Sequence, residues 1–268
     1  MPGLKAGFGR LATLGELFDL LYAHLPRLTA ERVPLAQALH RVLATDLVAE
    51  IDVPHFVKAA MDGYAVRAED TFGATDGSPK QLRVIDSVMP GDSTDLEIEG
   101  GSCIEIGTGA ALPPGSDSVV MVEYTEPGVD GAVLVRKGVA PRENVVEIGS
   151  DVKAGDAVLA RGTVLEPRHL GVIAAVGKSE VEVFRSPKVA LFSTGPEIIG
   201  TGGRLEPGRI FDINTHTLRG ALAGDGCEVI EMGIVPDDAE ALEKAVGAGL
   251  EQADLVLLSG GSSLGAGD

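Results

Sequence analysis

Six carboxylates sit in or beside turns of this chain: Asp62 in "AAMDGYAV", Asp151 in "GSD", Glu197 in "STGPE", Asp237 and Asp238 in "VPDD", and Asp268 in "GAGD". Acids presented on loops can hold a hard cation such as Mg2+ through oxygen, and they can equally cap helices or close turns. For Asp62, followed by glycine, an Asx turn or the first centre of a hairpin turn is the plainer reading. Asp237 could simply cap the helix that follows it. A second kind of chemistry is offered by Ser259-Gly260-Gly261-Ser262-Ser263, which follows the apolar run "ADLVLL". Its glycines let the backbone approach an oxyanion closely and present several N–H groups, a setting that suits phosphate. The loop lacks the Gly-Lys-Ser/Thr of a Walker A motif, and no G-x-G-x-x-G follows a strand, so ATPase and dinucleotide readings lose support. The five histidines fall into no Ser-His-Asp or Cys-His order, which leaves nucleophilic hydrolysis unsupported. Cys103 and Cys227 stand apart without a C-x-x-C and read as reduced core thiols.

The elements that must position these residues fall into three regimes. "TLGELFDLLYAHL" opens with a Thr13–Glu16 capping-box spacing and carries Leu14, Leu17, Phe18, Leu21 and Leu25 at helical intervals until Pro26. A second helix is predicted from Pro34 through "LAQALHRVL", followed by an extended "TDLVAEIDVP". From residue 53 to 146, "QLRVIDSV", "SCIEIG", "SVVMVEYTE" and "GAVLVRK" read as short strands separated by Gly, Pro, Asp and Ser clusters. "DAVLARGTVLEPRHLGVIAAVGKSEVEVFR" then gives strand, helix and strand, with Pro167 near the helix start and Gly177 past its end. The last third, "KVALFS", "NTHTLRGALAGDG", "CEVIEMG", "DDAEALEKAVGAGLEQA" and "ADLVLLSGG", reads β-α-β-α-β, the pattern of a parallel sheet with covering helices. The expected fold class is therefore multi-domain α and β. A discontinuous α-rich linker region over 1–52 and 147–186 would carry an inserted all-β domain over 53–146. An α/β parallel-sheet domain over 187–268 would complete it, with its ligand loops where strands end.

Composition excludes some partners. The 268 residues include 22 Lys and Arg against 40 Asp and Glu, a net charge of −18 that repels nucleic-acid backbones and anionic membrane surfaces. No apolar run approaches 18 residues, and "MPGLKAGFGR" lacks the apolar core of a signal peptide, so a cytoplasmic protein is expected. No nucleic acid and no membrane are expected as partners.

"DVPHFVKAAMDGYAVR", "IGTGAALPPGSDSVVMVE", "GSDVKAGD", "KVALFSTGPE", "GRIFDIN", "GIVPDD" and "LSGGSSLGAGD" together resemble, in order and spacing, the MoeA-type molybdopterin molybdenumtransferases. The resemblance covers nearly the whole chain. It implies a MogA/MoeA-like α/β domain and an elongated homodimer in which the inserted β domain of one subunit faces the α/β domain of the other. It also implies Mg2+-dependent insertion of molybdate into adenylylated molybdopterin with release of AMP, and a molybdopterin adenylyltransferase as a partner. Carried over residue by residue, it makes Asp62 and Thr108 polar positions on the β-domain face of the cleft and Asp151 the acid where the chain leaves that domain. Glu197, Asp237 and Asp268 become the acids of the α/β face and the metal carboxylates. Ser259, Gly260, Gly261, Ser263 and Gly265 become the phosphate cradle closed by Asp268.

The sequence also departs from the family pattern. Val146, Glu147 and Ile148 stand where the family has arginines before its G-x-D, and Pro196 replaces the acid of S-T-G-D-E. The sequence ends at Asp268, inside the glycine-rich loop, so the α/β domain is expected to be incomplete at its C-terminus and this chain to bind ligand without transferring molybdenum. Two alternatives stand beside the enzyme: a non-catalytic molybdopterin-binding or scaffold protein, favoured by those departures, and a molybdopterin adenylyltransferase-like enzyme, which shares the loop but not "AAMDGYAV".

Overall fold

Thr13 starts a helix for the reason its spacing suggests. In the computed structural model, which describes residues 12–260, the Thr13 hydroxyl accepts from the Glu16 amide (3.2 Å) and the Glu16 carboxylate accepts from the Thr13 amide (2.9 Å). The helix runs Leu14–His24 and stops at an extended Leu25 ahead of Pro26, with no residue buried along it. A later helix, Pro167–Ala175, begins at Pro167, whose missing N–H costs nothing there, and ends before Gly177, which takes the left-handed conformation at φ 78°. Between them the second predicted helix does not form. Only a 3-10 turn, Leu35–Gln37, follows the strand Ala30–Pro34, and His40 adopts φ 63°. The backbone there is claimed by long-range partners: the His40 amide donates to the Leu165 carbonyl (2.7 Å) and the Leu43 amide to Thr163 (2.9 Å). Tertiary pairing of the backbone outweighs the local propensity for helix.

The chain divides into two units, one from Met1–Thr45, Arg161–Leu170 and Glu180–Asp268, the other from Asp46–Ala160 and Gly171–Ser179. The second unit is built on a six-stranded sheet in the spatial order Ser118–Met121, Gly63–Val66, Ser102–Ile106, Lys80–Val88, Ala132–Val135 and Thr125–Pro127. All neighbours are antiparallel except Lys80–Val88 and Ser102–Ile106, which run parallel. Successive residues of a strand point to opposite faces, and here both faces are covered. Ala65, Ile104 and Val119 join one buried cluster, whereas their neighbours Val66, Cys103 and Val120 join another. Burial pushes the Cys103 thiol up to about 12, as befits a core thiol. Two short antiparallel pairs complete the unit: Lys58–Ala59 with Val145–Val146, and Leu47–Val48 with Ala157–Leu159.

In the first unit, Ala30–Pro34 and Val42–Leu43 flank Glu180–Phe184 in an antiparallel sheet. The β-α-β-α-β stretch follows as the sequence predicts, with strands Lys188–Thr194, Glu228–Val235 and Leu255–Ser259 and helices Asn214–Gly224 and Ala239–Leu250. The first strand is central and pairs in parallel with both others. From Val189 to Thr194 it is buried at every residue, as a strand covered on both faces must be. A small parallel ribbon, Ile198–Ile199 with Ile210–Phe211, sits in the connection to the first of these helices.

Candidate functional site

In the mixed-sheet unit, strand register positions one acid. Gly63 pairs with Ile106 in antiparallel alignment, so the residue before Gly63 and those just after Ile106 share one end of the sheet. Asp62 and Thr108 meet there: Asp62 Oδ1 accepts from both the Thr108 amide and its hydroxyl, each at 2.7 Å. The bond from the Thr108 amide, then that from its hydroxyl, holds the exposed carboxyl below its ordinary value, so it is a fixed anion at neutral pH. The Asp62 carboxylate is thus tied to a residue 46 positions away, while residues 60–62 form a bend. Gly63 has a separate reason to be glycine. A Cβ there would stand 1.9 Å from the Val120 carbonyl oxygen of the adjacent strand.

Asp151 belongs to the same unit and is exposed; its amide donates to the Val53 carbonyl (2.9 Å), and no hydrogen bond among the described residues ties its side chain to Asp62 or Thr108. Glu147, in the stretch before Gly149, is ion-paired with Arg142, which holds φ 67°. That arginine keeps a cation beside this stretch, four residues upstream of Val146, and nothing in its local sequence marks it out.

In the other unit, the polar residues collect at the carboxyl ends of the parallel strands, where open α/β sheets bind ligands. Thr194, the last residue of the central strand, donates its hydroxyl to Asp237 Oδ1 (3.3 Å). Asp238, not Asp237, caps the following helix by accepting from the Ala241 amide (2.9 Å). Ser259, at the end of the third strand, accepts from the Asn214 side-chain amide (2.8 Å). Gly260 then passes so close to the central strand that a Cβ would lie 2.1 Å from the Thr194 carbonyl oxygen. Glu197 is exposed, and its carboxylate folds back over Gly195, both oxygens lying 3.0 Å from where a Cβ on that glycine would be. Arg209 donates to the Pro196 carbonyl, so the proline turn is held by a cation.

Beneath this surface lies a buried network centred on Asp212. It accepts from the Thr215 hydroxyl (2.7 Å), the Thr215 amide (3.1 Å) and the Ser193 hydroxyl (3.2 Å). Burial alone would raise the Asp212 carboxyl, but these hydrogen bonds and the nearby His216 bring it below its ordinary value. Asp212 thereby fixes the start of helix Asn214–Gly224 and with it Asn214. Neither residue was singled out within "GRIFDIN"; an acid three positions ahead of a threonine at a helix start was the available signal.

Gly261, Ser263, Gly265 and Asp268 lie outside the described residues. Among the described residues no three Asp, Glu, His or Cys side chains converge to hold a metal ion. Of the expected metal carboxylates, Glu197 is exposed and Asp237 accepts from Thr194 through Oδ1, while Asp268 lies outside the described residues, so the described residues alone make no complete Mg2+ site.

Fold and geometry define a class: a chain that joins a mixed β-sheet unit carrying a fixed, exposed carboxylate to an α/β unit whose polar loops gather at the carboxyl ends of a parallel sheet. The chain belongs to the MoeA family, with the MoeA N-terminal region (domain I and II) matched by residues 12–177 and the "Probable molybdopterin binding domain" by residues 190–268. It is 38% identical over 259 residues to a molybdopterin molybdenumtransferase of Haemophilus influenzae, covering 96% of this chain and 63% of that protein. A Mycobacterium tuberculosis protein, molybdopterin molybdenumtransferase 2, is 38% identical over 234 residues, covering 87% of this chain and 58% of its own length. The crystal structure of a molybdopterin biosynthesis moeA protein from Pyrococcus horikoshii superposes with a TM-score of 0.86 at 35% identity, covering 95% of this chain and 68% of that one. This chain thus spans less than two thirds of the length of either curated relative.

Proposed function

We propose that a protein containing this chain is a molybdopterin molybdenumtransferase that inserts molybdate into adenylylated molybdopterin and releases AMP. The observation that carries this reading is the set Thr194, Asp237, Asn214, Ser259 and Gly260 at the carboxyl ends of one parallel sheet, in a chain of the MoeA family. Backbone N–H groups from Gly260 onward would receive the pterin phosphate, because a dense array of amides compensates an anion that the net charge of −18 opposes. Asp237, released from capping by Asp238, is available to orient a polar group or a cation. Asp62, anchored on Thr108, would present a fixed negative charge, with Asp151 as the second acid of the β-sheet unit. Magnesium belongs to the same reading, through Glu197, Asp237 and Asp268.

A homodimer, a cytoplasmic location and supply of substrate by a molybdopterin adenylyltransferase complete the proposal. Among the described residues no helix is long and apolar enough to cross a membrane. A second reading, a pterin-binding protein without turnover, draws on Pro196 and on Glu147, which substitute a proline for an acid and an acid for a cation. Calorimetry with adenylylated molybdopterin and Mg2+ should show saturable binding, and its absence would overturn both readings. Molybdate-dependent AMP release separates them, since only the transferase releases AMP. Sedimentation at micromolar concentration should give a dimer.

A further inference from the structure

The segment Arg209–Asp212 is laced onto the turn that follows the central parallel strand. The Ile210 amide donates to the Glu197 carbonyl and the Asp212 amide to the Ile199 carbonyl, both at 2.8 Å, while the Ile198 amide closes the turn on the Gly195 carbonyl (3.1 Å). Asp212 is in turn anchored by the buried Ser193 and Thr215 hydroxyls. Arg209 is therefore an exposed side chain carried on a fixed stretch of backbone. Its guanidinium donates to the carbonyl of Pro196, two residues beyond Thr194, a separation of at most about 7 Å along the chain. Thr194 is the residue whose carbonyl abuts Gly260. The arginine thus stands at the end of the sheet where the third strand gives way to its glycine-rich loop.

What sets Arg209 apart is the acceptor it has taken. Elsewhere in this unit Arg41 is paired with Glu31, Arg185 with Asp254 and Arg219 with Glu231, so each of those charges is compensated. The acceptor of Arg209 is a neutral carbonyl, and Arg209 joins no ion pair among the described residues. A guanidinium carries several N–H donors and stays charged at any ordinary pH, so this single bond leaves the whole charge and most of the donors unused. Pro196 contributes twice. Its ring fixes φ and so steadies the carbonyl that holds the arginine. It also stands where the family pattern has an acid, and a carboxylate on the very residue that Arg209 touches would compensate the guanidinium.

We propose that Arg209 is a ligand-binding residue that donates its remaining N–H groups to the phosphate oxygens of the adenylylated ligand, an inference that rests on the molybdopterin reading above. Backbone amides offer only partial charges, whereas a guanidinium adds a full positive charge in a geometry that matches phosphate oxygens in pairs. A chain with a net charge of −18 needs such a cation to hold an anion. Val146, Glu147 and Ile148 offer none, and Arg209 supplies it from a different element.

Inorganic pyrophosphate and adenylylated molybdopterin, titrated separately into the whole chain by calorimetry, test the contact with and without the pterin. Arg209→Gln keeps a donor for the Pro196 carbonyl but loses the charge, and it should weaken both ligands about tenfold. Arg209→Lys should retain affinity to within about threefold. Arg204→Gln removes the same charge from the same exposed connection and should change neither affinity by more than about twofold. Because Arg209 is exposed, thermal unfolding of its variants should match that of the parent. Unchanged affinity in Arg209→Gln would leave Arg209 as a tie for the turn alone, and an equal loss in Arg204→Gln would make the effect one of net charge; either result overturns the proposal. Pyrophosphate binding that depends on Arg209, with no binding of adenylylated molybdopterin, would overturn the molybdopterin reading and uphold the contact. Saturation by neither titrant at millimolar concentration overturns both.

Discussion

The two sheets of this protein solve the same problem differently. The mixed six-stranded sheet buries both of its faces, with Cys103 and Ile104 both inaccessible to solvent though they point to opposite sides. In the parallel sheet only the central strand is sealed; on its neighbour Leu255–Ser259, Leu258 is 44% exposed. The placement of polar groups follows. In the mixed sheet Asp62 is clamped by a threonine at the sheet's end, whereas in the parallel sheet polar residues from several loops share hydrogen bonds over a buried Asp212 network. A rigid sheet holds one charge in place; a half-covered sheet leaves its loop end free to take shape around a ligand.

Core truncation should break the symmetry between the sheets most strongly. Ile104→Ala is expected to cost about 2–5 kcal/mol, because it leaves a cavity in a fully buried layer, and Leu258→Ala less than about 1 kcal/mol. Denaturant unfolding of the two variants measures both, and equal losses would erase the contrast. Next in size is the close approach of backbones. Gly63→Ala drives a methyl group into the Val120 carbonyl and should destabilise by about 1–3 kcal/mol. The matching Gly260→Ala should instead displace the loop and weaken phosphate-ligand binding, with a smaller loss of stability.

A third effect depends on pH. Asp254 in the parallel-sheet unit has its carboxyl lowered from 3.8 to about 2, chiefly by its hydrogen bonds from Arg185, against the opposing effect of burial. A depressed acid stabilises the fold fully above its unfolded value and loses that contribution as pH falls through its folded value. Thermal stability should therefore fall between about pH 4 and pH 2, and Asp254→Asn should flatten that part of the profile. An unchanged slope in the variant would assign the acid sensitivity to other carboxylates. The smallest effect on stability is expected for Asp62→Asn, within about 0.5 kcal/mol because the site is exposed. Binding of adenylylated molybdopterin with Mg2+ should nonetheless suffer, and equal affinity would reduce the Asp62–Thr108 pair to a sheet-end fastening.

Legibility followed the range of the interactions. Strands and helices of the last third could be read from their periods, since each element there is long enough to show one. The helix at Leu14–His24 announced itself through a four-residue capping pattern. The helix expected from Pro34 failed because residues 40 and 43 bond a segment more than a hundred positions away, which no local window can sense. The Asp62–Thr108 contact was out of reach of the sequence for the same reason: it is set by the Gly63–Ile106 register, and the glycine after Asp62 answers to Val120. The acids of "VPDD" were visible as a pair, but only the backbone angle at the helix start decides which of them caps.

That choice between Asp237 and Asp238 has an evolutionary side. When one residue must both start a helix and serve a ligand, any substitution is judged on two counts at once. Here the adjacent carboxylates divide these duties, so the helix keeps its cap, worth about 0.5–2 kcal/mol, whatever stands at position 237. Position 237 can then drift or be re-engineered toward another ligand without a folding penalty, which makes this loop a place where specificity can change by single steps.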